Sequence, residues 1–420
     1  MPKKSVAAAA PAKKSTKADG HQWQFPSRIR PKSFSWKSSR LAVQRIKEAV
    51  TEIKNVAHKN ATTAAEGAVR LIERLSPALE HVDSSSGSLG NAVNWAIEEM
   101  VPIIAAADVS SSQRQKWLER LHAASEADGM PYLETLGDHW GELCVTKKIA
   151  GHWADELVGI TGMALSPDPK LRGHFHGTTA CLSALLRAER YEEIYSLLHS
   201  KLIWAYQRWA VKALAAQGKN AEAIEFAEGS RGPWTSDTDV NRLCEGILLS
   251  MGSIEEGYRR YGLYAHRAGT YLATYRAVIK RYPTIDPARI LVDLVASTPG
   301  EEGKWFATAK DVGMYAVALQ LANASPCDPK TLARAARDYT VKQPQFALGS
   351  GLAALRWLVL GHGYEITSLD VLGVYHSTLK AAEQLGALRE TKAGIRDLVA
   401  TEAAGGYVRQ ILGRELGLGA

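Results

Sequence analysis

The stretch that decides the fold is residues 204–228, W-A-Y-Q-R-W-A-V-K-A-L-A-A-Q-G-K-N-A-E-A-I-E-F-A-E. Gly218 stands near its middle, and we interpret it as the marker of a short turn between two helices. A single helical hairpin of this kind cannot bury its apolar face alone and has to stack on its neighbours. The stretch therefore predicts an array of stacked helical hairpins.

Similar turns recur from Gly177 onward, at intervals of about 31 residues, which is the length of one helix–turn–helix unit. Their markers are Glu189, Gly218, Gly252, Tyr282-Pro283, Gly313 and Gln343-Pro344. No segment of alternating β-branched residues is long enough to predict a strand. We therefore predict an all-α protein whose residues 170–385 form an α-solenoid.

Residues 204–228 resemble a tetratricopeptide repeat through the small residues Ala213 and Ala223, the turn at Gly218, and A-E-A-I-E-F after it. The other units depart from that pattern, because Ile194 and Gly257 take the place of Ala223. The resemblance implies a superhelix whose concave face holds a peptide, a partner protein or, less often, nucleic acid. It implies no cofactor.

Two further stretches are similar to uncharacterised bacterial helical proteins. They are P-G-E-E-G-K-W-F-A-T-A-K-D-V-G, at residues 299–313, and S-P-C-D-P-K-T-L-A-R-A-A-R-D, at residues 325–338. This similarity implies no activity.

The remaining segments are predicted from composition and helical spacing. Residues 1–39 are rich in Ala, Lys, Ser and Pro, and we predict a disordered basic tail. Its four aromatic residues, Trp23, Phe25, Phe34 and Trp36, suggest that part of it docks on the body or binds a partner. We predict an N-terminal helical region at 40–165 and a C-terminal helical cap at 386–420.

The N-terminal helical region is predicted to open with one long helix. Apolar residues follow one another in steps of three and four across residues 43–75, which indicates a helix of about 33 residues ended by Pro77. Its apolar stripe could pair with a second copy of the chain or fold onto the array. Self-association is therefore left open.

The net charge of +7 is concentrated at one end of the chain. Residues 1–47 carry twelve basic and one acidic side chain, whereas residues 48–420 carry 39 basic and 43 acidic ones. A protein that binds polyanions over its whole surface would not have a mildly acidic body. The basic tail by itself could hold phosphates in a salt-sensitive way.

The compartment is predicted to be the cytoplasm. Cys144, Cys181, Cys244 and Cys327 are widely spaced, as expected of buried free thiols in a reducing environment. No run approaches 18 apolar residues, so no membrane span is expected. The start of the chain lacks the apolar core of a secretory signal, although its basic, Ser-rich composition overlaps with that of organelle transit peptides.

The most distinctive local sequence is residues 257–285, called here the Tyr/Arg segment. It holds six Tyr, six Lys or Arg and no acidic residue. Arg with Tyr can stack on bases and hold phosphates, or can grip an acidic peptide by forked hydrogen bonds. The alternative is that the tyrosines pack between repeats while the arginines are solvated. The candidate partner-binding residues are Tyr258, Arg259, Arg260, Tyr261, Tyr264, Arg267, Tyr271, Tyr275, Arg276, Lys280 and Arg281.

The sequence offers little in favour of catalysis. It contains neither a phosphate-binding loop nor the G-x-S-x-G elbow of hydrolases, and we predict no catalytic, cofactor or metal residues. His174 and His176 form a close pair, but they match no familiar zinc motif, and we interpret them as loop histidines. The predicted function is a scaffold or adaptor that binds a protein or peptide. The alternative is a nucleic-acid-associated protein that uses the tail and the Tyr/Arg segment.

Overall fold

The computed structural model describes residues 21–168, 170, 173–198, 203–403 and 405–418. These residues form helices joined by turns and loops, with no β-strand among them. The predicted all-α class is therefore confirmed. In this described part of the chain, no helix is long and apolar enough to cross a membrane.

The chain divides into two compact units, Met1–Trp234 and Thr235–Ala420. The boundary falls inside residues 170–385, which the sequence predicts as a single array. The described part of the first unit contains α1 (Phe25–Arg28), α2 (Ser39–Ala57), α3 (Ala61–Leu79), α4 (Ser88–Ala106), α5 (Ser111–Glu126), a 3₁₀ turn (Glu134–His139), α6 (Trp140–Cys144), α7 (Lys147–Ala164), α8 (Thr178–Arg187), α9 (Tyr191–Leu197), α10 (Trp204–Ala216) and α11 (Asn220–Gly229).

The second unit has helices throughout. Its elements are α12 (Asp237–Ser250), α13 (Ile254–Gly257), a π-helical turn (Tyr258–Gly262), α14 (Leu263–Ala265), α15 (Tyr271–Arg281), α16 (Pro287–Ala296), a 3₁₀ turn (Glu302–Trp305), α17 (Phe306–Asp311), α18 (Tyr315–Ala324), α19 (Pro329–Tyr339), α20 (Pro344–Val359), α21 (Ser368–Gln384), α22 (Leu388–Ala400) and α23 (Tyr407–Leu416).

The prediction of one long helix is wrong. The structure has two helices there, α2, which ends at Ala57, and α3, which begins at Ala61. Asn60 adopts an extended backbone, and its side-chain oxygen accepts a hydrogen bond from the backbone N–H of Thr63 at 2.9 Å. This is the geometry of a helix N-cap, which asparagine favours. The helices α2 and α3 pack on each other and share one core, so the apolar spacing carries on across the turn.

The predicted disorder of residues 1–39 is wrong for residues 21–39; residues 1–20 lie outside the described part. Phe25, Ile29 and Phe34 are buried in the core of the first unit. The carboxylate of Glu52 accepts hydrogen bonds from the backbone N–H groups of Gln24 and Phe25, at 2.8 and 3.2 Å. Apolar burial and these charge-assisted bonds together fix the segment to the body.

The predicted turn at Gly218 is present, and three other predicted turns share its backbone geometry. The central residues Glu189, Gly218, Gly252 and Gly313 all have positive φ, between 61° and 81°. In each turn the next residue donates its N–H to a carbonyl five positions earlier, as from Lys219 to Leu214. This is the Schellman helix ending, which glycine favours. Superhelical stacking with a concave face, and the tetratricopeptide relationship, stay predictions.

All four cysteines are buried. Burial raises the pKa of Cys144 to about 12, of Cys181 to about 11 and of Cys327 to about 12. A thiol that stays protonated is a poor nucleophile. These three thiols therefore act as core residues.

Candidate partner-binding surface

The Tyr/Arg segment spans the end of α13, the π-helical turn, α14 and α15 in the second unit. The π-helical turn, Tyr258–Gly262, places Tyr258 and Tyr261 in the interior. A Cβ atom on Gly262 would lie 2.7 Å from Cε2 of Tyr282, so only glycine allows this ring to pack here without displacement. Single π turns inside helices occur often at functional sites.

Most tyrosines of the segment belong to the core. Tyr258, Tyr261, Tyr275 and Tyr282 are each at most 2% exposed. The rings of Tyr258 and Tyr282 meet edge to face, with centroids 5.2 Å apart. Tyr258, Tyr261 and Tyr275 are therefore removed from the set of candidate contact residues, because an enclosed side chain cannot touch a partner.

The hydroxyl groups of these buried tyrosines have specific acceptors. The Tyr258 hydroxyl donates to Oδ2 of Asp293 at 2.7 Å, and the Tyr275 hydroxyl donates to the carbonyl of Pro287 at 3.2 Å. Burial, followed by the neighbouring carboxylate, raises the pKa of Tyr258 well above its usual range. Tyr258 therefore stays protonated and links the π turn to α16.

A buried carboxylate, Glu245 on α12, organises the inner side of the segment. Its Oε1 accepts a hydrogen bond from the Tyr282 hydroxyl at 2.6 Å, and His266 Nε2 lies 2.8 and 2.9 Å from its two oxygens. A carboxylate only accepts, so Nε2 of His266 carries the proton in this contact. Nε of Arg281 lies 3.5 Å away. Glu245 therefore lies beneath the surface with two donors, the Tyr282 hydroxyl and His266, and with the half-exposed Arg281 at its outer side.

The charge state of Glu245 follows from these contacts. Burial by itself would raise its pKa, but hydrogen bonds from His266 and Tyr282 and the nearby charges of His266 and Arg281 lower it below the ordinary value. The ionised carboxylate is thus the stable form, since each donor is directed at it. Sequence reasoning missed Glu245 and His266. The available signal was an acid at an apolar position of α12, four residues after the buried Asn241.

The cations of the segment are mainly on the surface. Arg276 and Lys280 are exposed at positions i and i+4 of α15, so they share its outer face. Neither forms an ion pair with a described residue, and Arg259 is also exposed. Arg281 is half-exposed despite its contact with Glu245. Arg260 is engaged: it pairs with Glu256 at 3.0 Å and stacks over the ring of Tyr261.

A cleft of about 220 Å³ opens beside α15. Exposed Arg267 lies at this cleft and stacks on Tyr264, with 5.1 Å from its guanidinium carbon to the ring centroid. On the other side, the Tyr271 hydroxyl donates to Glu301 Oε2 at 2.7 Å, and the Tyr271 ring meets Trp305 edge to face. The cleft therefore combines one cation with an aromatic wall.

Glu301, the acidic residue in this cleft, already has partners within the protein. Lys304 Nζ donates to Oε1 of Glu301 at 2.5 Å, and this bond, followed by that from Tyr271, lowers the pKa of Glu301. Its charge is therefore balanced within the protein. The charge of Arg267 also helps to lower the pKa of Glu301, but Arg267 forms no ion pair with a described residue, so its donors can meet an incoming anion. Glu301 and Trp305 were not among the predicted site residues, although both lie in the quoted stretch 299–313.

The remaining candidate site is the close histidine pair. The rings of His174 and His176 lie 4.5 Å apart. No group of three or more His, Cys, Asp or Glu side chains that could hold a metal ion is found among the residues that the structure describes.

The chain was also compared with known proteins. No protein-family model, curated protein or solved structure gives a significant match to it.

Proposed function

We propose that the second unit binds an acidic segment of a partner protein through the exposed cations of the Tyr/Arg segment. The observation that carries this proposal is the pair Arg276 and Lys280, which share the outer face of α15 and form no ion pair with a described residue. Exposed cations that the protein does not neutralise are available to a partner of opposite charge.

The cleft beside α15 favours a peptide as the occupant. Its volume of about 220 Å³ is smaller than the roughly 300–1,000 Å³ of ordinary small-molecule sites and suits a single side chain. An acidic side chain that enters it would meet Arg267, whose planar guanidinium can form two parallel hydrogen bonds to a carboxylate. The stacking of Arg267 on Tyr264 restrains it in advance and lowers the entropy cost of binding.

The alternative, nucleic acid, is favoured less. Single strands are usually held by aromatic rings on which bases stack. Among the tyrosines of the segment, Tyr264 is exposed, but Arg267 already covers one face of its ring, and Tyr271 is packed against Trp305. A duplex needs only cations along its phosphates, so duplex binding is an outcome for the experiment to examine.

The proposed role is that of a non-catalytic scaffold or adaptor. The helical hairpins, with their shared Schellman turns, support the tetratricopeptide-like interpretation of residues 204–228 and its extension to a stacked array. Arrays of this kind present extended binding surfaces and need no cofactor. The cations would then be held in place by three buried tyrosines, Tyr258, Tyr275 and Tyr282.

Fluorescence anisotropy with the full chain tests this proposal. A labelled Glu-rich peptide and a labelled DNA duplex are titrated separately, at low and at physiological salt. The test variant is Arg276→Glu with Lys280→Glu. The matched control is Lys116→Glu with Lys148→Glu, two exposed lysines of the first unit whose reversal changes the net charge equally.

The expected result is peptide binding that weakens at least tenfold in the test variant and stays within twofold in the control. Two cation contacts of about 0.7 kcal/mol each are sufficient for the tenfold loss. Equal losses in both variants would mean that net charge alone drives binding and would refute the proposal. Tight duplex binding without peptide binding would establish the nucleic-acid alternative in its place.

A further inference from the structure

A second cleft, in the first unit, has a lysine in its wall. It encloses about 700 Å³, and its walls come from α4, α6, α8 and α10 together with neighbouring turns. That volume lies within the roughly 300–1,000 Å³ range of small-molecule sites. The lysine is Lys212 on α10, and Trp209, one turn earlier on the same helix, also lines the cleft.

The amine of Lys212 is held against an aromatic ring instead of a carboxylate. Its Nζ lies 3.9 Å from the centroid of the Trp209 ring, and no described residue forms an ion pair with it. The side chain is half-buried. Burial, followed by the nearby charge of Arg208, lowers the pKa of Lys212 to about 8, although Asp138 acts in the opposite direction.

The acidic groups around the cleft are engaged with other cations. Asp138 accepts a hydrogen bond from Arg208, and Glu189 pairs with Lys147 at 2.5 Å. Glu142 faces His139 at 3.5 Å. Lys212 is thus the amine that lacks a counter-ion at this cleft.

A cation on α8 supplies a place for an anion. The guanidinium of Arg187 donates from Nε and Nη2 to the carbonyl of Val145, which orients the group at the cleft. Its Nη1 makes no hydrogen bond to a described residue. A carboxylate bound there would gain a charge-assisted hydrogen bond from this exposed guanidinium.

We propose that Lys212 forms an imine with a small carbonyl compound that carries a carboxylate, held in this cleft by Arg187. The neutral amine nitrogen attacks the carbonyl carbon, and a C–N bond forms. The nitrogen then loses both protons to the departing carbonyl oxygen, which leaves as water, so that no oxidant or reductant is required. Lysines whose charge is disfavoured by burial are the ones that proteins use for this chemistry.

The lowered pKa makes the amine more available. Because burial lowers the pKa of Lys212 to about 8, a larger fraction of this amine is neutral at pH 7 than of an ordinary lysine, whose pKa is about 10.4. The neutral amine is the form that attacks a carbonyl carbon.

Reductive labelling of the full chain tests this inference. Glyoxylate, an anionic aldehyde, and propionaldehyde, a neutral one, are each added at pH 7 with borohydride, and labelled lysines are located by peptide mass spectrometry. The internal control is Lys219, an exposed lysine three residues beyond the end of the same helix. We expect glyoxylate to label Lys212 first, at least tenfold faster than Lys219, with a rate that rises to a plateau above about pH 8.

A variant separates anion recognition from simple reactivity. Arg187→Gln is expected to slow glyoxylate labelling of Lys212 at least fivefold and to leave propionaldehyde labelling unchanged. Labelling of Lys212 no faster than that of Lys219 would overturn the proposal. Equal slowing with both aldehydes, or with neither, would overturn the anionic class of ligand. The comparison of Lys212 with Lys219 uses the unaltered chain, so its result does not depend on whether a variant folds.

Discussion

Replacing Tyr282 by phenylalanine isolates one hydrogen bond in the interior of the second unit. The ring remains, and so does its edge-to-face contact with Tyr258 at 5.2 Å. The hydroxyl that is lost donates to Glu245 at 2.6 Å, and the Glu245 side chain is only 2% exposed. The substitution therefore removes one donor from a buried carboxylate and changes little else.

The size of the loss follows from the charge and burial of the acceptor. Hydrogen bonds to charged groups contribute about 1.5–3 kcal/mol, more than the roughly 0.5–1.5 kcal/mol of a neutral bond. His266 and Arg281 remain near the carboxylate, so the loss should fall in the lower half of that range. We expect the free energy of unfolding of the second unit to decrease by about 2 kcal/mol.

Native-state hydrogen exchange of the full chain measures this change within the second unit. The backbone amides of α12, which carries Glu245, and of α15, which directly precedes Tyr282, report the free energy of opening of that region. A decrease of about 2 kcal/mol corresponds to a protection factor about 30-fold lower. Amides of the first unit provide an internal reference.

Tyr258→Phe is the matched control. Its ring is also buried, but its acceptor, Asp293, has a side chain 34% exposed, so water can replace the lost donor. We expect a decrease of about 0.5–1 kcal/mol. Equal effects of the two substitutions, or an unchanged protection factor in Tyr282→Phe, would refute the assignment of Glu245 as a buried anion that depends on its donors.

Three further predictions concern stability and can be measured by urea denaturation of the full chain. Glu245→Gln should make the acid-induced loss of stability shallower. The pKa of Glu245 is lowered in the folded state, so its ionised form stabilises the protein above the unfolded-state pKa of about 4.3, and this stability is lost as the pH falls. Gly262→Ala should cost about 1–3 kcal/mol because its Cβ would meet the Tyr282 ring, whereas Gly269→Ala, with open space around the site, should cost less than about 1 kcal/mol. Asn60→Ala should cost about 1 kcal/mol by removing the cap of α3, and an unchanged denaturation midpoint would contradict this.

The helical class and several turns could be predicted because they depend on local sequence. Glycine at the end of a helix adopts positive φ at little cost, so Gly218, Gly252 and Gly313 mark turns that the structure also has. The break at Asn60 was predictable in principle, since asparagine is a strong N-cap residue. It was missed because apolar spacing alone does not change when a chain turns back onto the same core.

The candidate partner-binding surface of the Tyr/Arg segment could be predicted only in part. Periodicity shows which residues share a helical face, but it does not tell whether that face meets the core or a partner. The tyrosines at 258, 261 and 275 therefore gave the same signal as contact residues would. Arg276 and Lys280 are exposed, as expected of long charged side chains, which are rarely buried without a partner, but their role in binding stays a prediction.

The buried network and the cleft at Lys212 depend on contacts between distant parts of the chain. Glu245 and Tyr282 are 37 residues apart, and Asp138 and Arg208 are 70 residues apart. No local motif encodes such pairs. Their effects on pKa appear only once the helices have been packed together.

Footprinting of the full chain by a photoactivated carbene, with and without the Glu-rich peptide at saturation, tests the central proposal most directly. Exposed side chains are labelled and located by peptide mass spectrometry. We predict protection of the outer face of α15, at Arg276 and Lys280, and of the cleft around Arg267, with unchanged labelling at Lys116. Protection confined to other surfaces while the peptide is bound would contradict it.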